Sequence, residues 1–213
     1  HLDDDEKLKV KALLTKHINV LEGQLGTWVG PLISLPLKPD VKPYCAKQLY
    51  PIPQSREADA KATVAQLEEA GILVRTNESE WGAPCFFIPK KGNQGLRFIC
   101  ELREVNKCLV RKPYPLPKIQ DLLRKIGKFK YATTLDLVMG FYNITMDEEA
   151  QRICTLILPW GKYRLTHLAM GLVIVPDVFQ ERIHDIFHDL EKVFSYIDDL
   201  ACIDGGSFDD HYK

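Results

Sequence analysis

Leu8, Leu13, Leu14, Ile18 and Leu21 recur near helical spacing behind the acidic start Asp3-Asp4-Asp5-Glu6, and Gly23 follows them. That pattern predicts a capped amphipathic helix over 3–21. Prolines at 31, 36, 39, 43, 51 and 53 then rule out long regular elements and imply an extended connector. Ser55 is a candidate cap for a second helix, with Ala60, Val64 and Leu67 on one face and Gly71 as its stop. Two β-like runs, 85–88 and 96–102, flank Lys90-Lys91-Gly92-Asn93-Gln94-Gly95, which reads as a hairpin with a basic, flexible tip and its lysine pair in solvent. A helix over 118–126 is expected to turn Ile119, Leu122, Leu123 and Ile126 inward and to stop at Gly127.

Further along, 131–137, 142–146, 153–158 and 162–168 read as short strands separated by turns at Met139-Gly140, Asp147-Glu148 and Trp160-Gly161, suggesting an antiparallel sheet. Pro176-Asp177 opens a helix that uses Val178, Phe179, Ile183, Ile186, Phe187 and Leu190, and 193–197 returns as a strand. With no internal repeat, this mixture predicts an α+β fold.

Composition narrows the class. With 213 residues, 46% hydrophobic and 27% charged, the chain is globular, neither disordered nor collagenous. No apolar run approaches the roughly 20 residues that cross a bilayer, and the acidic start is unlike a signal peptide, so neither membrane insertion nor secretion is expected. The six cysteines form no C-x-x-C pair and read as buried free thiols. A first residue that is His, with no obvious terminus at Lys213, leads us to expect an excerpt of something longer.

A net charge of -1 conceals an asymmetry. Residues 90–130 carry +9, and 177–213 carry -7. A basic block can pair with phosphates and an acidic one can hold divalent cations, although either block is also compatible with a merely solvated face.

The chemistry-bearing segment is Tyr196-Ile197-Asp198-Asp199-Leu200, two adjacent carboxylates between apolar runs, which reads as a tight hairpin with acids at its tip. Asp-Asp also favours a turn for its own sake. The segment gains weight from Asp136, which interrupts the apolar run Thr134-Leu135-Asp136-Leu137-Val138. A charge in a strand facing a core demands a cation or a partner. If the two strands are neighbours, Asp136 and Asp198 converge. Carboxylates so paired can hold two Mg²⁺ ions about 3.5–4 Å apart, the arrangement of phosphoryl transfer, and Lys90 and Arg97 on the basic hairpin are placed to meet phosphate charge.

The segments Tyr50-Pro-Ile-Pro, Trp81-Gly-Ala-Pro-Cys-Phe-Phe-Ile-Pro-Lys-Lys, Leu96-Arg-Phe-Ile-Cys-Glu-Leu-Arg-Glu-Val-Asn-Lys, Pro113-Tyr-Pro-Leu-Pro-Lys-Ile, Leu135-Asp-Leu-Val-Met-Gly-Phe-Tyr, Pro176-Asp-Val-Phe-Gln and Tyr196-Ile-Asp-Asp-Leu follow one another. In order and spacing the chain resembles a reverse transcriptase, and it looks most like the RNA-directed DNA polymerase of gypsy-type LTR retrotransposons, which are related to retroviral enzymes. The resemblance runs from about residue 49 to 213. It implies an α+β fingers and palm fragment: 1–48 a helix and Pro-rich connector that link it to the preceding polyprotein, 49–130 fingers with palm-entry segments, and 131–213 a palm that stops shortly after the catalytic hairpin.

The resemblance further implies a nucleotidyltransferase that adds dNTPs to a primer 3′-hydroxyl on an RNA or DNA template, with two Mg²⁺ ions or substituting Mn²⁺. Asp136, Asp198 and Asp199 match the catalytic, metal-holding aspartates, Asp136 and Asp198 foremost, with the Leu137 backbone carbonyl as a further ligand. Lys90 and Arg97 match residues gripping the incoming triphosphate, Met139 and Gly140 offer backbone N–H groups to it, and Phe141 matches the aromatic that excludes a ribose 2′-hydroxyl. Met170 matches a loop residue beneath the nucleotide, while Trp81, Gly82, Pro84, Arg103, Gly171 and Tyr196 match template or primer positions. Partners implied are primer-template, dNTPs and the protease, RNase H and integrase of a Pol polyprotein, in cytoplasmic virus-like particles. The sequence departs from the family at Ala169, where Pro is usual, in the apolar run 172–175, and at Glu101, where Asp is usual.

Two other readings compete. One is a remnant that keeps the fold without catalysis. The other is a zinc hydrolase built on His184-Asp-Ile-Phe-His188, whose i, i+4 histidines have metal-ligand spacing but flank Asp where Glu is expected and lack a clear third ligand.

Overall fold

The computed structural model describes residues 2–93 and 95–213; Gln94 of the expected hairpin tip lies outside them. In chain order the elements are α1 (Asp4–Lys16), α2 (Ile18–Leu21), α3 (Glu57–Glu69), β1 (Leu73–Arg75), β2 (Ala83–Pro89), β3 (Leu96–Cys100), α4 (Arg103–Cys108), α5 (Ile119–Ile126), β4 (Tyr131–Asp136), α6 (Glu148–Ile153), β5 (Thr155–Leu158), β6 (Gly161–Leu165), α7 (Val175–Phe187), β7 (Val193–Tyr196), β8 (Asp199–Asp204) and α8 (Phe208–Tyr212). They form two compact units. The first gathers His1–Gly26, Pro113–Gly140 and Pro176–Lys213, and the second Thr27–Lys112 and Phe141–Val175, which cuts the chain differently from the expected division at 48 and 130.

The second unit is built on a five-stranded sheet in the order β1-β6-β5-β2-β3. The expected 85–88 and 96–102 hairpin is present as β2 and β3, paired antiparallel with Pro89 opposite Leu96, and Lys90 and Lys91 are exposed at its end. β2 also runs parallel to β5, so the sheet is mixed rather than antiparallel throughout. Leu73, Leu156, Leu165, Leu102, Val105 and Val64 are buried, each such side chain contributing about 1.5–3 kcal/mol. Ser55 does not cap α3; it sits in a 3-10 turn, Gln54–Arg56, that leads into the helix.

One expected strand is something else, and another begins two residues later than expected. The 142–146 run is a 3-10 turn, Gly140–Asn143, followed by isolated bridges from Thr145 to His167 and from Met146 to Ile33. Asp147 is not a turn residue but the cap of α6, its carboxylate accepting from Ala150 N–H at 2.8 Å. The start of the 153–158 run is accordingly the last turn of that helix, and only Thr155–Leu158 is strand. Short apolar runs are ambiguous between strand and helix, and a capping carboxylate decided this one.

The connector is not a loose linker within this unit. Trp28 N–H donates to the Asn143 carbonyl, Ile33 to Thr145, Lys38 to Cys108 and Val110 to Pro36, while Gly82 donates to the Tyr44 carbonyl and accepts from Ala46 N–H. Prolines forbid a continuous ladder, yet single bridges satisfy the backbone wherever an N–H remains. Gly82 sits at one of them, where an added Cβ would lie 2.3 Å from Ile157 Cδ1 and 2.7 Å from its Cγ1.

The first unit carries a three-stranded antiparallel sheet in the order β4-β8-β7. Leu135 pairs with Leu200 and Val193 with Cys202, so alternation sorts the sheet into two faces. On one, Leu200 is buried, and Tyr131 and Thr133 meet α8: Tyr131 stacks on His211 at 5.8 Å, and Thr133 Oγ1 lies 2.9 Å from His211 Nε2. α1, expected as part of a linker, belongs here. Its capping box of Asp3 and Glu6 starts the helix, and Lys9 Nζ reaches Asp209 at 2.8 Å. Of the expected inward stripe of α5, Leu122 and Ile126 are half-buried while Ile119 and Leu123 are exposed, because amphipathic spacing sets which residues share a face but not how fully it is covered. Among the described residues no helix is long and apolar enough to cross a membrane. Of the cysteines, Cys85, Cys100 and Cys154 are buried as expected, whereas Cys45 is exposed.

Asp204, buried at the end of β8, pairs with Lys192 and accepts from Gly206 N–H at 2.7 Å; the Lys192 ammonium holds its carboxyl below the usual range. A depressed folded value means stability that is present above the unfolded value, about 3.9, and is lost as pH falls through the folded one. Lys192→Met should therefore lower Tm at pH 7, and the gap from wild type should shrink on acidification below about pH 4, measured by thermal melts across pH. Gly82→Ala should destabilise the protein by about 1–3 kcal/mol in urea unfolding, since Ile157 must shift to admit the methyl group.

Candidate active site

β7 and β8 are joined by two residues, Ile197 and Asp198, closed by the Tyr196–Asp199 pair. Ile197 has φ 54°. A positive φ at the first central residue is the signature of a type II′ turn, where Gly is usual, so a β-branched side chain there is strained. The strain is local to the acidic segment.

The register of β4 on β8 places Asp136 directly opposite Asp199. Opposed residues project to the same face with Cβ atoms about 4.5–5.5 Å apart. Tyr196 shares that face, which lies opposite the one that buries Leu200. Asp198 lies in the turn itself, its carbonyl accepting from Leu137 N–H at 3.2 Å. The structure thus brings all three aspartates to one end of one sheet, with Asp199 rather than Asp198 as the cross-strand neighbour of Asp136. Asp136 is exposed, so the anticipated cost of a charge facing a core does not arise. The cost is instead like-charge opposition across the ladder.

Next to Asp136, the Leu137 carbonyl accepts from Gly140 N–H at 3.2 Å, closing the turn through Met139, which has φ 50° and is exposed. Gly140 is buried beneath Phe179: an added Cβ would stand 2.8 Å from its Cζ. The expected triphosphate-facing amide of Gly140 is thus engaged within the turn.

The remaining expected residues belong to the second unit. Lys90 and Arg97 are exposed at the β2–β3 hairpin, and Phe141 is half-buried at the start of its segment. Met170 is 59% exposed, on a loop whose Gly171 adopts φ 103°. Asn106 of α4 clamps this loop, donating from Nδ2 to the Gly171 carbonyl at 2.6 Å and accepting from Val173 N–H at 2.9 Å. The apolar departures at Leu172, Ile174 and Val175 are buried core, as is Ala169. Trp81, 2% exposed, is also core and has no surface to offer a template. Gly82 and Pro84 are buried too, and Pro84 lines a cavity of about 760 Å³ with Tyr44, Tyr50, Arg103 and Lys107. Arg103 clasps Glu101 through Nε at 2.8 Å and Nη2 at 2.6 Å, a bond that holds the Glu101 carboxyl below its usual range.

Sequence reasoning missed Asn106 as a functional side chain although the residue stood inside a quoted motif. Its signal was a polar residue between the buried positions Val105 and Leu109.

The donor set at the sheet end is entirely carboxylate and carbonyl oxygen, which suits a hard divalent cation. Two opposed carboxylates with a third in the adjoining turn fit such an ion, although among the described residues no three His, Cys, Asp or Glu side chains are gathered closely enough to form a ready-made site. At the alternative histidine pair, His188 Nδ1 lies 3.2 Å from the carbonyls of His184 and Asp185, and Nε2 lies 3.1 Å from Asp189, so both ring nitrogens face oxygen acceptors of their own helix end.

Residues 88–206, more than half of the chain, match the family model of reverse transcriptase (RNA-dependent DNA polymerase). The chain belongs to the reverse transcriptase family. It is 30% identical over 208 residues to the retrovirus-related Pol polyprotein from transposon 297 of Drosophila melanogaster, covering 94% of this chain and 20% of that protein. With the corresponding polyprotein from transposon 412 of the same organism it shares 34% over 161 residues, 72% of this chain and 13% of the relative. This reverse transcriptase chain therefore spans about a fifth or less of these relatives. Its α+β fold is that of the foamy viral protease-reverse transcriptase solved with double-stranded DNA, at a TM-score of 0.88 and 21% identity over all of this chain and 37% of that one. The same viral protein solved with an RNA/DNA hybrid matches at 0.84 and 22% identity, over 94% of this chain and 27% of that one.

Because the register sets two carboxylates opposite each other, an arrangement that like charges disfavour, Asp136→Asn should raise Tm slightly in EDTA; a fall would show that like-charge repulsion is not what this pair costs the fold.

Proposed function

We propose that this chain is the fingers and palm part of an RNA-directed DNA polymerase within a retrotransposon Pol polyprotein, adding dNTPs to a primer 3′-hydroxyl on an RNA or DNA template. The observation that carries this reading is the register that opposes Asp136 to Asp199 with Asp198 in the connecting turn.

In this reading Asp136, Asp198 and Asp199 hold the divalent cations, with the Leu137 carbonyl beside them. Two Mg²⁺ ions, when bound there, would favour the ionised primer hydroxyl and offset the charge of the leaving pyrophosphate. The chain's own groups do the rest. Lys90 and Arg97, at the exposed basic hairpin, neutralise triphosphate oxygens, Arg97 through a fork suited to two oxygens at once. Met139 and Gly140 shape the turn that follows Asp136. Phe141 presents an aromatic edge to the sugar and excludes a 2′-hydroxyl by volume. Met170, on the loop clamped by Asn106, supports the nucleotide from below, and Arg103, Gly171 and Tyr196 meet the template-primer. Trp81 and Gly82 support that surface from within.

Primer extension with dNTPs and Mg²⁺ tests the reading. Asp198→Asn should lower extension at least about a hundredfold while leaving the fold intact by circular dichroism. The 213-residue chain should extend more slowly than a longer Pol segment, because fewer phosphate contacts hold the duplex; equal rates would contradict this. No extension by either would leave the remnant reading. Phe141→Ala should raise ribonucleotide over deoxynucleotide incorporation, and unchanged sugar selection would remove Phe141 from its role.

A further inference from the structure

A buried side chain bonds to the strained acidic turn. Gln180 lies on α7 between Phe179 and Ile183, both buried, and is itself only 3% exposed. A buried amide must find partners on both of its ends. Its Oε1 accepts from Ile197 N–H at 2.9 Å, and its Nε2 donates to Ser195 Oγ at 3.3 Å. Only this orientation of the amide serves both, because the reverse would set an NH₂ against the Ile197 N–H.

Ser195 projects from the sheet face that buries Leu200, the face opposite the one that carries Asp136 and Asp199. Gln180 thus acts from behind the sheet on the turn in front. Ile197 would gain by leaving φ 54°, since a β-branched residue at positive φ costs of the order of 1–3 kcal/mol and persists only where its surroundings over-determine it. Release of that residue would re-aim Asp198 and slip the Tyr196–Asp199 closing pair that sets Asp199 opposite Asp136.

We propose that Gln180 is a positioning residue: its amide pins Ile197 in the left-handed conformation and so holds the carboxylates of Asp198 and Asp199 in place for the cation. The inference rests on the polymerase reading only for what the carboxylates hold, since the latch itself is a matter of conformation.

The test is a double-mutant cycle on the full 213-residue chain with two readouts, hydrogen exchange at the Ile197 amide and Mn²⁺ affinity from water-proton relaxation. Gln180→Met, which keeps bulk but removes both polar ends, should speed exchange of the Ile197 amide at least about tenfold and weaken Mn²⁺ binding by about tenfold, as loss of a supporting contact behind a metal ligand does. Ser195→Ala, which frees only the far end of the amide, should give a smaller change in the same direction. Ile197→Gly accepts positive φ without strain. In that background the added Gln180→Met should change Mn²⁺ affinity by less than about twofold, a non-additivity that simple loss of core packing would not produce. Unchanged Ile197 exchange in Gln180→Met, or an equal loss of affinity in the wild-type and the Ile197→Gly backgrounds, overturns the proposal. Asp136→Asn separates it from the polymerase reading: if Mn²⁺ affinity survives that change the cation site is wrong, while the exchange result still judges Gln180.

Discussion

Two carboxylates facing each other across neighbouring strands are an arrangement that a sheet built for stability alone would avoid. In this chain the opposition of Asp136 and Asp199 follows from the register of β4 on β8, and that register is fixed from the other side of the sheet. Leu200 must be buried, and Tyr131 and Thr133 must meet α8. A slip of one residue would carry Leu200 to the acidic face and send Asp199 inward. Ordinary burial on one face therefore enforces an unfavourable electrostatic geometry on the other, since the register alone sets Asp136 opposite Asp199.

The turn extends the same logic to the backbone. A two-residue connection places Asp198 and Asp199 at the sheet end, at the cost of a left-handed isoleucine. Strain of this kind belongs where position matters more than stability. It sits in a unit whose buried apolar side chains, among the described residues, are few: Phe179, Ile183, Leu200 and Phe208. With so thin a core, single polar contacts such as those of Gln180, Lys192 and Asp204 set local geometry to a degree that the denser second unit does not require.

Much of this was legible in the sequence, and what was missed has identifiable physical causes. The β2–β3 hairpin, α3 and α5 announce themselves through periodicity with glycine turns or stops, α7 through apolar spacing behind Pro176-Asp177, and the β7–β8 hairpin through two acids between apolar runs. The three aspartates announce themselves because charges interrupt apolar runs. α6 stayed hidden because six residues are too few for a 3.6-residue period to show, and the exposure of Ile119 and Leu123 on α5 because periodicity reports a face, not its cover. The order of strands in the second unit, with its parallel β2–β5 pair, depends on contacts far apart in the chain, and local pattern carries no record of them. Asn106 and Gln180 escaped notice as uncharged polar residues beside charged ones, Lys107 and Glu181, and stand out only once their hydrogen-bond partners are known.

The proline-rich connector bears on where the second unit can be trimmed. Its backbone bonds from Trp28 to Ala46 reach Asn143, Thr145, Cys108 and Gly82, so this tether joins segments of that unit that lie far apart in the sequence. The stretch shared with the family, 88–206, leaves it out entirely. A piece cut at the motif boundary would keep most of the recognisable signatures and still expose unpaired backbone along its flank, inviting aggregation, while a cut ahead of residue 27 would leave the tether in place.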